Sequence, residues 1–162
     1  GLAFGGDEVG SLKYEDGSTS TVTAGGGIDI GAGITLSHME KPFGVDLGFS
    51  YKFDSATAEN ADVTFDRFEL SVIPYYQVNP KVRIGLGISQ HNGVEFSAEM
   101  DGRGSDSIEF DSGTAVVAQM VFNHSPQLNW GFKFTSVDYT ARFVEDVAGS
   151  NISAFLTYKI QQ

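Results

Sequence analysis

Ser89, His91 and Glu95 bring a hydroxyl, an imidazole and a carboxylate to alternate positions of one run, the parts of a base-activated nucleophile. In an extended strand they share a face, with Ser89 and His91 roughly 6–7 Å apart along it. That separation exceeds hydrogen-bond reach, so catalysis needs neighbouring strands to close the gap. A hydrogen-bonded interior network is the simpler role, and on that balance the chain is expected not to be an enzyme. His38 and His124 lie beside short turns and read as interfacial polar residues. The glycines from Gly25 to Gly33 do not form a nucleotide loop, which requires a helix to follow; no helical pattern does.

Carboxylates gather between the strong strand patterns. Asp101, Asp106, Glu109 and Asp111 are candidate ligands for Ca²⁺ or Mg²⁺, since hard cations take oxygen donors. No EF-hand spacing is present, and a solvated, repulsive surface is the competing interpretation. No cofactor is expected. The formal charge of −11, from 21 acidic and 10 basic residues, excludes the basic surface a nucleic-acid binder needs. With no cysteine, disulfides and thiolate metal sites are excluded as well.

These side chains must be positioned by strands. Period-2 alternation runs through almost the whole sequence and helical periodicity is hard to find. From Thr21 to Ser37 one face reads Val22, Ala24, Gly26, Ile28, Ile30, Ala32, Ile34 and Leu36, and the other is Gly, Thr, Ser or Asp throughout. Similar runs cover Phe43 to Phe53, Arg67 to Tyr76, Val82 to Ser89, Gly113 to Phe122, Leu128 to Thr135 and Ile152 to Ile160. With a first strand from Leu2 to Tyr14 the count is eight, each about ten residues long, enough to cross a bilayer at a tilt. Proline-built turns at Glu40-Lys41-Pro42, Asn79-Pro80-Lys81 and Ser125-Pro126-Gln127 alternate with longer polar stretches at Ser55–Thr64, Ala98–Asp111 and Glu145–Ser150. The expected fold is all-β: an eight-stranded antiparallel up-and-down transmembrane β-barrel, residues 1–162 as one domain, with short periplasmic turns and longer extracellular loops. No basic, apolar segment opens the sequence, so a mature or trimmed form is expected.

The non-apolar face decides the orientation. A soluble calyx would put that face in water and load it with charge. Here it is mostly Gly, Ser and Thr, which suits a narrow lumen and has no use on a wet surface. The apolar face therefore meets lipid. Phe43, Tyr76, Phe122, Trp130 and Tyr158 fall beside the short turns as an aromatic girdle, and Phe53, Phe65, Phe96, Phe110 and Tyr139 fall toward the other rim as a second belt. Inside, Asp29, Asp46, Lys52, Arg67, Glu69, Arg83, Lys133 and Lys159, with Asp7, are expected to form a charge network, because isolated buried ions are costly.

This pattern resembles the small eight-stranded outer-membrane barrels, the family of the outer membrane protein A membrane domain and its adhesion-related relatives. Gly5-Gly6-Asp7, Tyr14-Glu15-Asp16-Gly17-Ser18, Ala24-Gly25-Gly26-Gly27 and Phe65-Asp66-Arg67-Phe68 also resemble an uncharacterised proteobacterial barrel family of similar length. The resemblance implies the bacterial outer membrane, contact with its lipids and lipopolysaccharide, and the barrel-assembly machinery as a partner during biogenesis. It brings no catalytic residues. Such barrels often end in an aromatic residue, whereas Tyr158 here is followed by Lys159-Ile160-Gln161-Gln162. The function expected is structural or surface-interacting, with an extracellular ligand of unknown identity. The alternatives are a narrow channel or carrier for small solutes and, further off, a lipid-modifying hydrolase.

Overall fold

Extended backbone dominates the computed structural model, which describes residues 1–14, 16–38, 40–59, 61–100, 102, 104–141 and 144–160. In chain order the strands are β1 (Leu2–Gly5), β2 (Glu8–Lys13), β3 (Thr19–Thr23), β4 (Gly27–Ser37), β5 (Phe43–Ala58), β6 (Ala61–Asn79) and β7 (Val82–Met100). They continue with β8 (Gly104–Phe110), β9 (Gly113–Asn123), β10 (Leu128–Ser136), β11 (Asp138–Ala141), β12 (Val144–Ala148) and β13 (Asn151–Tyr158). β1, β4, β5, β6, β7, β9, β10 and β13 pair antiparallel in that order, and β13 returns to β1, closing an eight-stranded ring. The proline turns sit together at one rim; at one of them the Lys81 N–H donates to Asn79 Oδ1 at 2.9 Å.

The outer surface of the ring is apolar. Leu70, Leu86, Ile88, Phe132 and Leu156 project from it, Leu86 at 66% exposure and Leu156 at 68%. Phe43, Tyr76, Trp130 and Tyr158 are also exposed, and Phe122 stacks on Trp130 at 4.2 Å between ring centroids. The expected lower girdle therefore has its side chains where lipid would lie.

Three expectations change at the opposite rim. The strands are not all about ten residues: β6 and β7 have 19 each, roughly 60 Å of extended chain, well beyond an apolar band about 25 Å tall. The stretches expected as polar loops are largely hairpin. β5 pairs with β6 as far as Ala58↔Ala61, and β7 with β8 as far as Met100↔Gly104. The runs from Leu2 to Tyr14 and from Thr21 to Ser37 are each broken, between β1 and β2 and between β3 and β4, where Gly5, Gly6 and Gly27 take φ of 125°, 82° and 100°. At Gly6 a side chain would collide with the Gly25 backbone, so the two breaks pass in close contact.

Above the breaks the sheet turns inside out. Below, apolar residues face out; above, Leu12, Val22, Ala24, Ala56, Val63, Phe65, Val94, Phe110 and Tyr139 face in and form one buried cluster with Ile73, Ala115, Val117 and Val137. Phe65 and Tyr139 are fully buried and Phe110 nearly so. They do not belong to an outer aromatic belt; with half-buried Phe96 they pack into a cap over the barrel mouth. The β2–β3 hairpin folds across that mouth, because a Cβ added at Gly10 would lie 2.8 Å from Val63 and 2.9 Å from Phe96 on staves across the ring. The physical reason is solvent: outside the bilayer an apolar face must turn inward, as in a water-soluble protein. At the tip of this hairpin the Ser18 hydroxyl and N–H donate to Asp16 at 2.6 and 2.9 Å, which holds its carboxyl below the usual carboxylate range.

Candidate functional site

Two tiers of charge fill the lumen beneath the cap. β6 places Arg67 and Glu69 two residues apart on its inner face, and Arg67 Nε donates to Glu69 Oε1 at 3.2 Å. Lys133 from β10 bridges Glu69 and Asp29 of β4, 3.3 Å from each. Lys52 of β5 stands in register with both Asp29 and Arg67 and is buried. His91 of β7 opposes Glu69 in register, with Nε2 3.8 Å from Oε1, while Nδ1 shares a 2.6 Å hydrogen bond with the Tyr139 hydroxyl of β11. Arg67 also lies against the Phe65 and Tyr139 rings at 5.8 and 5.5 Å and donates to the Ala24 carbonyl at 2.8 Å. The upper tier thus ties the wall to the underside of the cap.

The lower tier centres on Asp46 of β5. Its carboxylate meets Arg83 of β7 at 3.1 Å, Gln119 of β9 at 2.8 Å and Thr35 of β4 at 2.7 Å. Arg83 lies 4.8 Å over the Tyr75 ring, whose hydroxyl shares a 2.6 Å hydrogen bond with Ser37. Four cations (Lys52, Arg67, Arg83 and Lys133) face three carboxylates (Asp29, Asp46 and Glu69) from five of the eight staves. Such an arrangement can pin strand register and obstruct a path down the axis.

A closed ring with an apolar outside and charges inside is the inverse of a soluble fold, and the comparisons agree. Residues 3–159 match the model of the outer membrane protein beta-barrel domain. The chain belongs to this family. The barrel therefore resides in the bacterial outer membrane, with lipid around its wall. Among solved structures it is similar to Ail, the attachment invasion locus protein of Yersinia pestis, at a TM-score of 0.55 and 15% identity, over 94% of this chain and 89% of that one. No curated protein matches the barrel by sequence.

The candidate nucleophile set is not assembled in this barrel. A β-bulge interrupts the β6–β7 register between Asp66↔Glu95 and Phe68↔Asn92, with Gly93 at φ 57°. The extra residue reverses the alternation, so Ser89 and His91 point into the lumen and Glu95 points outward, paired in register with Asp66 and Glu109. Among the described residues Ser89 Oγ has no hydrogen-bond partner, while His91 is engaged by Tyr139 and faces Glu69.

The cation candidates are dispersed too. Asp106 and Glu109 fall on opposite faces of β8, Asp111 accepts from Thr140 at 3.4 Å, and Asp101 lies outside the described residues, as do Glu15 and Arg103. Among the described residues no three His, Asp or Glu side chains are grouped to hold a metal ion. Asp7 is not in the lumen: it is exposed at the hairpin hinge, where its carboxylate accepts from the Ala148 N–H at 2.9 Å. Lys159 lies near the short-turn rim, 3.1 Å from the Asn129 amide oxygen once that amide is turned. Tyr139, expected in the outer belt, joins the networks instead, as do Tyr75, Gln119 and Thr35, which were not singled out. For the last three the signal was their inward parity, shared with the charges.

Proposed function

We propose that this barrel is a non-conducting, non-catalytic scaffold that holds a rigid surface for partners outside the cell. The observation carrying this reading is the double closure of the lumen, by the charge tiers and by the apolar cap above them. A solute path would have to break both. The hairpin arms expose Glu59, Asp62, Glu99, Asp106, Asp138 and Asp146, so a partner with a basic face fits best, drawn in by long-range attraction that salt screens. Ail, an attachment invasion locus protein, has a similar fold. Lipopolysaccharide is the immediate neighbour, with divalent ions between its anionic groups and these acids.

Planar-bilayer recording tests the closure. The barrel should show no steady conductance, and neither should Lys52→Met or Arg83→Met variants; ion steps in the parent would refute the scaffold reading. Attachment of cells displaying the barrel to basic surfaces should weaken as salt rises. Shortening the β7–β8 arm should reduce attachment and leave the folded wall intact. Attachment indifferent to both changes would also refute it, as would lipid A whose acylation depends on Ser89 and His91.

A further inference from the structure

The β6–β7 seam is interrupted within the wall. Its register runs from Phe68↔Asn92 to Val72↔Ile88 and resumes at Tyr75↔Gly85, so Ile73 and Pro74 are not paired with β7. The neighbouring β5–β6 and β7–β9 ladders pass the same level without a break. Strand alternation gives the reason. The Gln77 N–H bonds the Pro42 carbonyl on the β5 side, and the Lys81 carbonyl accepts from Asn123 on the β9 side. Pro74 has the opposite parity to Gln77, and Leu86 to Lys81, so these two turn their backbone groups toward each other. Proline has no N–H to give the Leu86 carbonyl, and a rung is lost.

On the lipid side a recess of about 470 Å³ lies over the lost rung, within the size range of small-molecule sites. The exposed rings of Phe43 and Tyr76, 6.0 Å apart, form one lip; Ile84 and Leu86 form the other, with Pro74 between them. The recess does not lead into the lumen. A Cβ added at Gly85 would lie 2.8 Å from Ile73, and one added at Gly44 would collide with the Tyr75 ring.

Charge marks its lower end. Lys41 and Lys81 stand exposed in the two turns that flank the recess, one leading into Phe43 and the other toward Ile84. Neither is ion-paired among the described residues, and Glu40 is the acid beside Lys41. The third such turn, Ser125-Pro126-Gln127, has no lysine or arginine. From Asn79 at the turn to Pro74 is roughly 17 Å along β6, or about 12 Å of depth at a 45° tilt. That falls within the acyl region of one leaflet, about 15 Å deep.

We propose that the recess is a phospholipid site. One acyl chain of an anionic phospholipid of the periplasmic leaflet lies over Pro74, between the two lips, and its phosphate sits between Lys41 and Lys81. The groove is continuous with the lipid-facing wall, and the two lysines complement the phosphate. The open rung sets the wall back at that point, and the lysines select the headgroup by its negative charge. The chain as a whole carries −11 and repels an anionic headgroup elsewhere, so attraction confined to this sector is diagnostic.

The test places residues 1–162 in phosphatidylcholine vesicles with a trace of lipid spin-labelled on the upper acyl chain, either phosphatidylglycerol or phosphatidylcholine. Paramagnetic relaxation is read at the methyl groups of Leu86, in the recess, and of Leu156, exposed on the far wall. Labelled phosphatidylglycerol should enhance relaxation at Leu86 at least threefold over Leu156, whereas labelled phosphatidylcholine should not distinguish them. Lys41→Gln with Lys81→Gln should abolish the excess and leave Leu156 unchanged. Pro74→Leu, which restores the N–H and fills the recess, should abolish it as well. Equal enhancement of the two leucines by labelled phosphatidylglycerol would overturn the proposal, as would an excess that survives loss of both lysines. An excess seen with both labels alike would assign the recess to unselected bulk lipid and overturn it too. No enhancement at Leu86 from either label, with Leu156 responding, would show the recess covered by protein, such as a second copy of the chain, and would also overturn it.

Discussion

Glu69 is the joint of the upper tier, and replacing it with glutamine tests whether that tier holds the barrel together. The side chain is 3% exposed, and the substitution keeps its shape while removing its charge. At an effective dielectric near 20, a unit pair separated by the 3.2 Å between Arg67 and Glu69 attracts with a gross energy of roughly 5 kcal/mol. Desolvation of both partners offsets part of that. Lys133 keeps Asp29 at 3.3 Å, whereas Arg67 is left buried with the Ala24 carbonyl. A buried cation stripped of its charged partner puts the expected net loss at about 3–5 kcal/mol. Urea unfolding from vesicles, followed by the single tryptophan, Trp130, at the lipid face, measures this directly. Removing both partners, as Arg67→Met with Glu69→Leu, should cost less than the sum of the two single changes by about 1–3 kcal/mol. A Glu69→Gln loss under about 1 kcal/mol, or strict additivity in the double variant, would refute a cohesive tier.

Phe65→Ala removes a fully buried ring from the cap and should cost about 3–5 kcal/mol; proteolysis in the β2–β3 turn of vesicle-inserted barrel should accelerate. Gly10→Ala places a methyl 2.8 Å from Val63, so exchange at the Leu12 and Val22 amides should quicken while the wall stays protected. Leu86→Arg on the outer face should lose about 2–4 kcal/mol of stability in bilayers, read by the same urea titration.

The ring itself was legible because its rule is local. Between Phe43 and Phe53, or Val82 and Ser89, each residue's neighbours reveal which face it takes, and the glycine-rich opposite face tells lipid from water. The cap was harder, because parity alone does not reveal solvent. In β6 the apolar residues change from odd, at Val63 and Phe65, to even, at Phe68 and Leu70, so the inversion is written in the sequence there. In β7 the bulge at Gly93 hides it: Ile88 and Val94 share even parity yet face opposite ways. The same one-residue insertion separates Glu95 from Ser89 and His91. The charges of the two tiers could be placed in the lumen by parity, but their partners could not, since Lys133 reaches Glu69 across 64 residues and Gln119 reaches Asp46 across 73.

The reversal from apolar-outside wall to apolar-inside cap also gives insertion a direction. While the arms cross the bilayer, the side chains of Leu12, Val22, Phe65 and Phe110 cannot yet be gathered under a water-exposed surface. They can condense only after the hairpin tips emerge on the far side. Once gathered, retreat would require the cluster to be dispersed and the acidic outer faces of the arms to be dragged back through hydrocarbon. The cap therefore acts as a ratchet pawl: it sets after passage, and the energy that closes the mouth also fixes the barrel's orientation in the membrane.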